Sequence, residues 1–209
     1  MYNRDYLSNQ SSQHTQESSQ VQLMSFLKAT YQLFAGSLLA ATADAYIGLG
    51  IVSLLMGPVK WVLFAVELAL IFFVIPRVKH TPGINLAVLF AFTFITGLTI
   101  APLLASIFAM PAGASIVGQA FLMTSVAFGG ISMFAMTTKR DFSSMGKFLF
   151  IALIIMIVAG ISNIFIQSSM MQLAIASVGA LLFSAFILYD TQQIIKGNYD
   201  SPIEAALAL

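Results

Sequence analysis

Phe148–Tyr189 reads FLFIALIIMIVAGISNIFIQSSMMQLAIASVGALLFSAFILY, 42 consecutive residues without Asp, Glu, Lys or Arg. A helix crosses the ~30 Å hydrocarbon of a bilayer in about 20 residues. This stretch therefore holds two crossings, joined by a turn at Gln167-Ser168-Ser169. His80–Thr138 is a second charge-free stretch, of 59 residues, with its turn at Met110-Pro111-Ala112-Gly113. The crossings are helical because hydrocarbon offers backbone groups no partner. Runs such as Ile151–Val158 also lack the alternation of a membrane barrel.

Working outward, Leu27 to Ile51 is apolar apart from Lys28, Asp44 and a few hydroxyl or amide side chains. Gly57-Pro58 breaks that helix, and Val59 to Ile75 forms another span closed by Pro76. The expected spans are 27–51, 58–76, 82–109, 113–137, 146–167 and 170–195. The fold class is an all-α, polytopic membrane bundle with six transmembrane helices. Residues 1–25, rich in Ser and Gln, read as a disordered cytoplasmic tail without the apolar core of a signal peptide. Residues 26–196 are the bundle. Residues 197–209 contain Pro202 and Glu204 at a good helix start, and resemble the beginning of a seventh helix cut short.

Composition agrees. Hydrophobic residues make up 59% of the 209, and charged ones 8%, against about 25% charged in soluble domains. Mean hydropathy is +0.92. A net charge of +1 leaves no concentrated basic face for nucleic acid. The absence of cysteine removes disulfides, Cys-ligated zinc, iron–sulfur clusters and thiol nucleophiles. Orientation follows from Lys and Arg. With the N-terminus in the cytoplasm, Arg4, Lys28, Arg77, Lys79, Lys139, Arg140, Lys147 and Lys196 all fall inside, and only Lys60 falls outside.

Three acids lie within spans: Asp44, Glu67 and Asp190. A carboxylate at the bilayer centre costs about 2.5–3.5 kcal/mol on insertion scales, so each needs a reason. Asp44 is near enough to the outer interface to snorkel. Glu67 is too deep for that. Asp190 should lie near the cytoplasmic third, at the depth of Arg77, so that an Asp190–Arg77 ion pair is geometrically reasonable; the plain alternative is that Arg77 and Lys79 serve orientation only. Glu67 and Arg77 are roughly 15 Å apart along their helix and cannot pair directly. His14 and His80 lack metal-ligand spacing on one helix, and no buried His activates a Ser or Thr. No Walker or Rossmann glycine pattern occurs, so the chain does not read as an enzyme. Gly129-Gly130, Gly160, Gly179 and the Ala-rich first span read as close helix contacts, and Pro102 as a kink. Thr96, Thr99, Gln119 and Asn163 either line a polar path or bond across helices.

Gly97-Leu-Thr-Ile-Ala-Pro-Leu103, Asn163-Ile-Phe-Ile-Gln167, Ile187-Leu-Tyr-Asp-Thr-Gln-Gln-Ile194 and the Thr138–Gly146 run together resemble the Bax inhibitor-1 family, most closely its bacterial members. The likeness covers the chain from about Lys28 onward. It implies a seven-helix bundle with the last helix near its centre, residence in the bacterial cytoplasmic (inner) membrane, and a pH-sensitive calcium leak. It maps the family's sixth-helix Asp onto Asp190, its second-helix acid onto Glu67, and the basic residue ending that helix onto Arg77 or, less well, Lys79. The family's other sensor carboxylate belongs to a seventh-helix stretch that would begin just after Leu209, so the carboxylate pair is incomplete within this sequence; truncation is the favoured reading.

Two carboxylates close together in a low dielectric share a proton, because both cannot ionise. Protonation would then release an Asp190–Arg77 latch. Glu67 and Asp190 offer hard oxygens to a passing Ca²⁺, the transient ion expected in place of any resident cofactor. A rival reading makes the chain a modulator of an FtsH-type membrane protease, with the flexible 1–22 tail as the part such a protease grips. A transporter is disfavoured, because paired broken helices in inverted repeats are absent.

Overall fold

Local chemistry sets the breaks between helices. The computed structural model describes residues 2–78, 81 and 83–209, with backbone only for 2–17; Lys79, His80 and Pro82 lie outside the described residues. Helix α1 runs Tyr2–Leu49 and is followed by a short α2, Val52–Leu55. Gly57 then takes φ of 85°, and Pro58 occupies the first turn of α3, where its missing N–H costs nothing. The third helix covers Pro58–Val78, α4 Ile84–Phe108, α5 Gly113–Thr137, α6 Gly146–Ile166, α7 Ser169–Ile195 and α8 Pro202–Ala208. No strand occurs among the described residues.

The expected hairpin turns are where the sequence puts them. Ala112 is left-handed (φ 61°), and Gly113 N–H donates to the Met110 carbonyl at 3.0 Å. Gln167 is left-handed too (φ 54°). Ser168 caps α7 by accepting from Met171 N–H, while Asn163 Oδ1 accepts from Ser168 N–H at 3.1 Å. Pro102 lies within α4 without ending it.

Two expectations differ from what is found. Among the described residues, five helices are long and apolar enough to cross a membrane, α3 to α7. The 27–51 stretch, expected as a sixth, is not among them, because Lys28, Tyr31, Gln32 and Asp44 dilute its apolar character. The backbone is helical from Tyr2, where the composition of residues 1–25 suggests disorder; no Gly or Pro interrupts the helix before Gly36.

The chain divides into two units, Met1–Ala105 with Tyr199–Ala208, and Ser106–Asn198 with Leu209. In the first, the buried residues of α4 (Asn85, Leu89, Thr93, Gly97 and Ala101) fall every fourth position, one stripe of a helix. Gly97 meets α1 so closely that a Cβ there would lie 2.5 Å from the Ala41 carbonyl oxygen and 2.8 Å from Asp44 Cβ; Gly48 approaches Ala101 similarly. Helix α8 packs on α1, so the short terminal helix is docked, with Glu204, Ala205 and Ala206 buried. In the second unit, α7 packs on both α5 and α6, and Gly179 lies against Met156. Gly129, Gly130 and Gly160 face open space, so the close contacts expected of them are absent. Large side chains such as Phe165 (82% exposed) and Phe121 (74%) stand outward, as hydrocarbon-facing surfaces require.

Candidate functional site

The residues expected to carry function fall on both units. Glu67 is half-buried in α3, a helix whose Pro58–Val74 portion has no buried residue. Just after it the helix widens into a π-turn, Leu70–Val74. Pro76 supplies the cause: it lacks an N–H, and its ring collides with the carbonyl four residues back, which a π-turn accommodates. Arg77 is exposed, and its guanidinium donates to the Phe73 carbonyl at 2.5 Å, capping its own helix. Asp44 is half-buried beside Gly97. All three belong to the first unit. Asp190 belongs to the second, half-buried in the last turns of α7.

The residues after Asp190 form a dense polar arrangement. Thr191, Gln192, Gln193 and Ile194 are all buried. Gln192 spends both ends of its amide on the loop between α5 and α6: Oε1 accepts from Phe142 N–H at 2.8 Å, and Nε2 donates to the Arg140 carbonyl at 2.7 Å. Gln193 donates to Ser143 Oγ at 3.4 Å and accepts from Asn198 Nδ2. Lys196 Nζ donates to Asp141 at 2.5 Å and to Ser143 Oγ at 2.6 Å. That Lys196 hydrogen bond, with the backbone and hydroxyl of Ser143, holds the Asp141 carboxyl down at about 2 from 3.8. Phe142 turns back so that its ring lies 6.4 Å from that of Phe134. One turn before Gln192, Tyr189 closes on Gly146, where a Cβ would be 2.7 Å from the phenol oxygen. The loop is thus tied to the α7 terminus carrying Asp190 by neutral hydrogen bonds, one ion pair and ring packing.

The hydroxyls considered for a polar path are occupied locally. Thr96 and Thr99 donate to Phe92 and Ile95 carbonyls of their own helix, and Gln119 donates to Ser115 one turn away. Among the described residues no three of His, Cys, Asp and Glu gather as a metal site.

Comparison with known proteins shows the family. The family model described as "Inhibitor of apoptosis-promoting Bax1" matches residues 23–209. The chain belongs to the Bax inhibitor-1 family. Among relatives of this family member, an uncharacterized protein of Campylobacter jejuni is 51% identical, covering 100% of this chain and 90% of its own length. An uncharacterized membrane protein of Vibrio cholerae is 38% identical over 88% of this chain and 81% of its own length. Protein lifeguard 4 of mouse is 34% identical over 82% and 72%. The Bax inhibitor-1 family likeness read from Gly97–Leu103, Asn163–Gln167 and Ile187–Ile194 is therefore correct.

Sequence reading passed over three features of this Bax inhibitor-1 protein. Ser201-Pro-Ile-Glu204 has the letters of a capping box: Ser201 Oγ accepts from Glu204 N–H at 3.1 Å, while Glu204 Oε2 accepts at 3.1 Å from the N–H of Asp200, the residue before the cap. The π-turn has a trace in Pro76. The Gln192 tie to residues some fifty positions away leaves no local signal.

Proposed function

We propose that this Bax inhibitor-1 protein forms a pH-sensitive leak for cations, with Ca²⁺ the ion, in the inner membrane of a bacterium, N-terminus cytoplasmic. Asp190 is the gate, with Arg77 its counter-charge on grounds of sequence depth, and Glu67 and Asp190 offer oxygens along the path. The observation that carries this reading is the position of Asp190 directly before Thr191-Gln192-Gln193, the buried run that ties down the 138–147 loop. A change of charge on Asp190 acts on the helix end that holds that loop. A carboxylate in low dielectric is stabilised by a cation and loses that attraction on protonation, so the α7 terminus and its loop shift together.

The test is Ca²⁺ flux into proteoliposomes across pH for wild type, Asp190→Asn and Glu67→Gln. Asp190→Asn should abolish the pH dependence, and Glu67→Gln should lower the conductance. Unchanged flux in both variants removes the channel reading. A second reading, modulation of an FtsH-type protease, draws support from the Ser/Gln-rich 1–22 segment, the kind of polar end such a protease grips. Equal binding by intact and tail-deleted chains would dispose of it.

A further inference from the structure

The geometry points to the 138–147 loop as a preformed binding surface for the headgroups of anionic phospholipids, independent of the channel reading. Helix α5 ends at Thr137, and the next crossing begins at Ser143. The intervening five residues sit where a chain leaves one span and enters the next, at headgroup depth. Lys139, Arg140 and Lys147 are exposed, and among the described residues none of the three has an ion pair. The acid in the same segment, Asp141, is matched by Lys196. Among the described residues, three cations are thus left without a counter-charge.

Orientation in the membrane requires only that such charges be present. It does not require their backbone to be splinted, yet here it is. Gln192 grips the loop on either side of Asp141, at the Arg140 carbonyl and the Phe142 N–H. Thr138 Oγ1 accepts from Arg140 N–H at 3.3 Å, and Asp141 Oδ1 from Ser143 N–H at 2.8 Å. Phe142 anchors the far side against Phe134. A basic loop fixed beforehand spares the ordering entropy that a flexible one loses on binding. An anionic headgroup attracted by juxtamembrane cations is the partner whose charge and depth both match.

Titration of purified full-length protein in neutral detergent with phosphatidylglycerol, against phosphatidylcholine, tests this. Wild type should bind phosphatidylglycerol in preference. Lys139→Gln/Arg140→Gln should weaken it by about fivefold per cation, roughly 25-fold for the pair. Gln192→Ala should weaken it although every cation remains, and Gln192→Glu, which keeps the Phe142 bond but cannot donate to Arg140, should fall between. Lys60→Gln should bind like wild type, and inorganic phosphate at millimolar concentration should not compete. Equal binding of the two lipids, or undiminished binding by the Lys139/Arg140 double variant (whose exposed positions leave folding intact), overturns the proposal. Full affinity in both Gln192 variants overturns the preformed surface, and competition by inorganic phosphate overturns the lipid as its source.

Discussion

Gln192 and Lys196 hold the same loop by different physics, and the difference is measurable. Gln192 is 5% exposed and makes two neutral hydrogen bonds to backbone. Gln192→Ala removes the partners of a part-buried carbonyl and N–H, which costs about 1 kcal/mol. A lower Tm, and faster hydrogen exchange at the Phe142 amide whose acceptor is lost, should report it. The Lys196–Asp141 pair is exposed, with side chains 38% and 66% accessible, and such pairs contribute little. Its signature is in titration. The folded Asp141 carboxyl sits at about 2 rather than 3.8, so its contribution is complete above about pH 4 and is lost as pH falls towards 2. Carboxyl-carbon NMR should give a midpoint near 2 in wild type, returning towards 3.8 in Lys196→Met. A wild-type midpoint at the ordinary carboxylate value would show that the ion pair is not formed.

Between helices, the glycines separate packing that can yield from packing that cannot. At Gly97 a Cβ meets backbone, the Ala41 carbonyl oxygen, which cannot step aside. Gly97→Ala should therefore cost about 1–3 kcal/mol, read as a loss of Tm or of denaturant midpoint. At Gly129 and Gly130 a Cβ meets nothing within 4 Å, and alanine removes the entropy penalty of glycine in a helix. Either substitution should be neutral or stabilising by up to about 1 kcal/mol. At the other end of the chain, Ser201→Ala should cost about 1 kcal/mol by removing the N-cap of α8. These cases show what the letters carry. Gly57-Pro58, Met110–Gly113 and Gln167–Ser169 were legible because a positive φ, a Pro at a first turn and a Ser cap are decided within four residues. Gly129-Gly130 read as contacts and are not, because which side of a helix meets a neighbour is decided by the neighbour. The 27–51 stretch counts as a span on its apolar residues, and Lys28, Tyr31, Gln32 and Asp44 weigh against it; the contact of Asp44 with Gly97 is set by the neighbouring helix and leaves no local signal.

Over the whole molecule, the class of protein was legible because solvent preference is additive along a chain. Two charge-free stretches demand helical hairpins, and family membership followed from motifs spread over the spans. The candidate site was legible only at its acids. Asp190 and Glu67 stand out because charge in hydrocarbon is costly, whereas the Gln192 clasp joins positions that only the tertiary fold brings together. The central claim is that the charge on Asp190 is felt by the 138–147 loop through the α7 terminus. Hydrogen exchange of the 138–147 amides in lipid nanodiscs, followed across pH and corrected for intrinsic pH dependence, tests it most directly. In wild type, protection of this loop should change as Asp190 takes up its proton, and in Asp190→Asn it should be flat across the same range. An identical pH-dependent change in both proteins would contradict the claim.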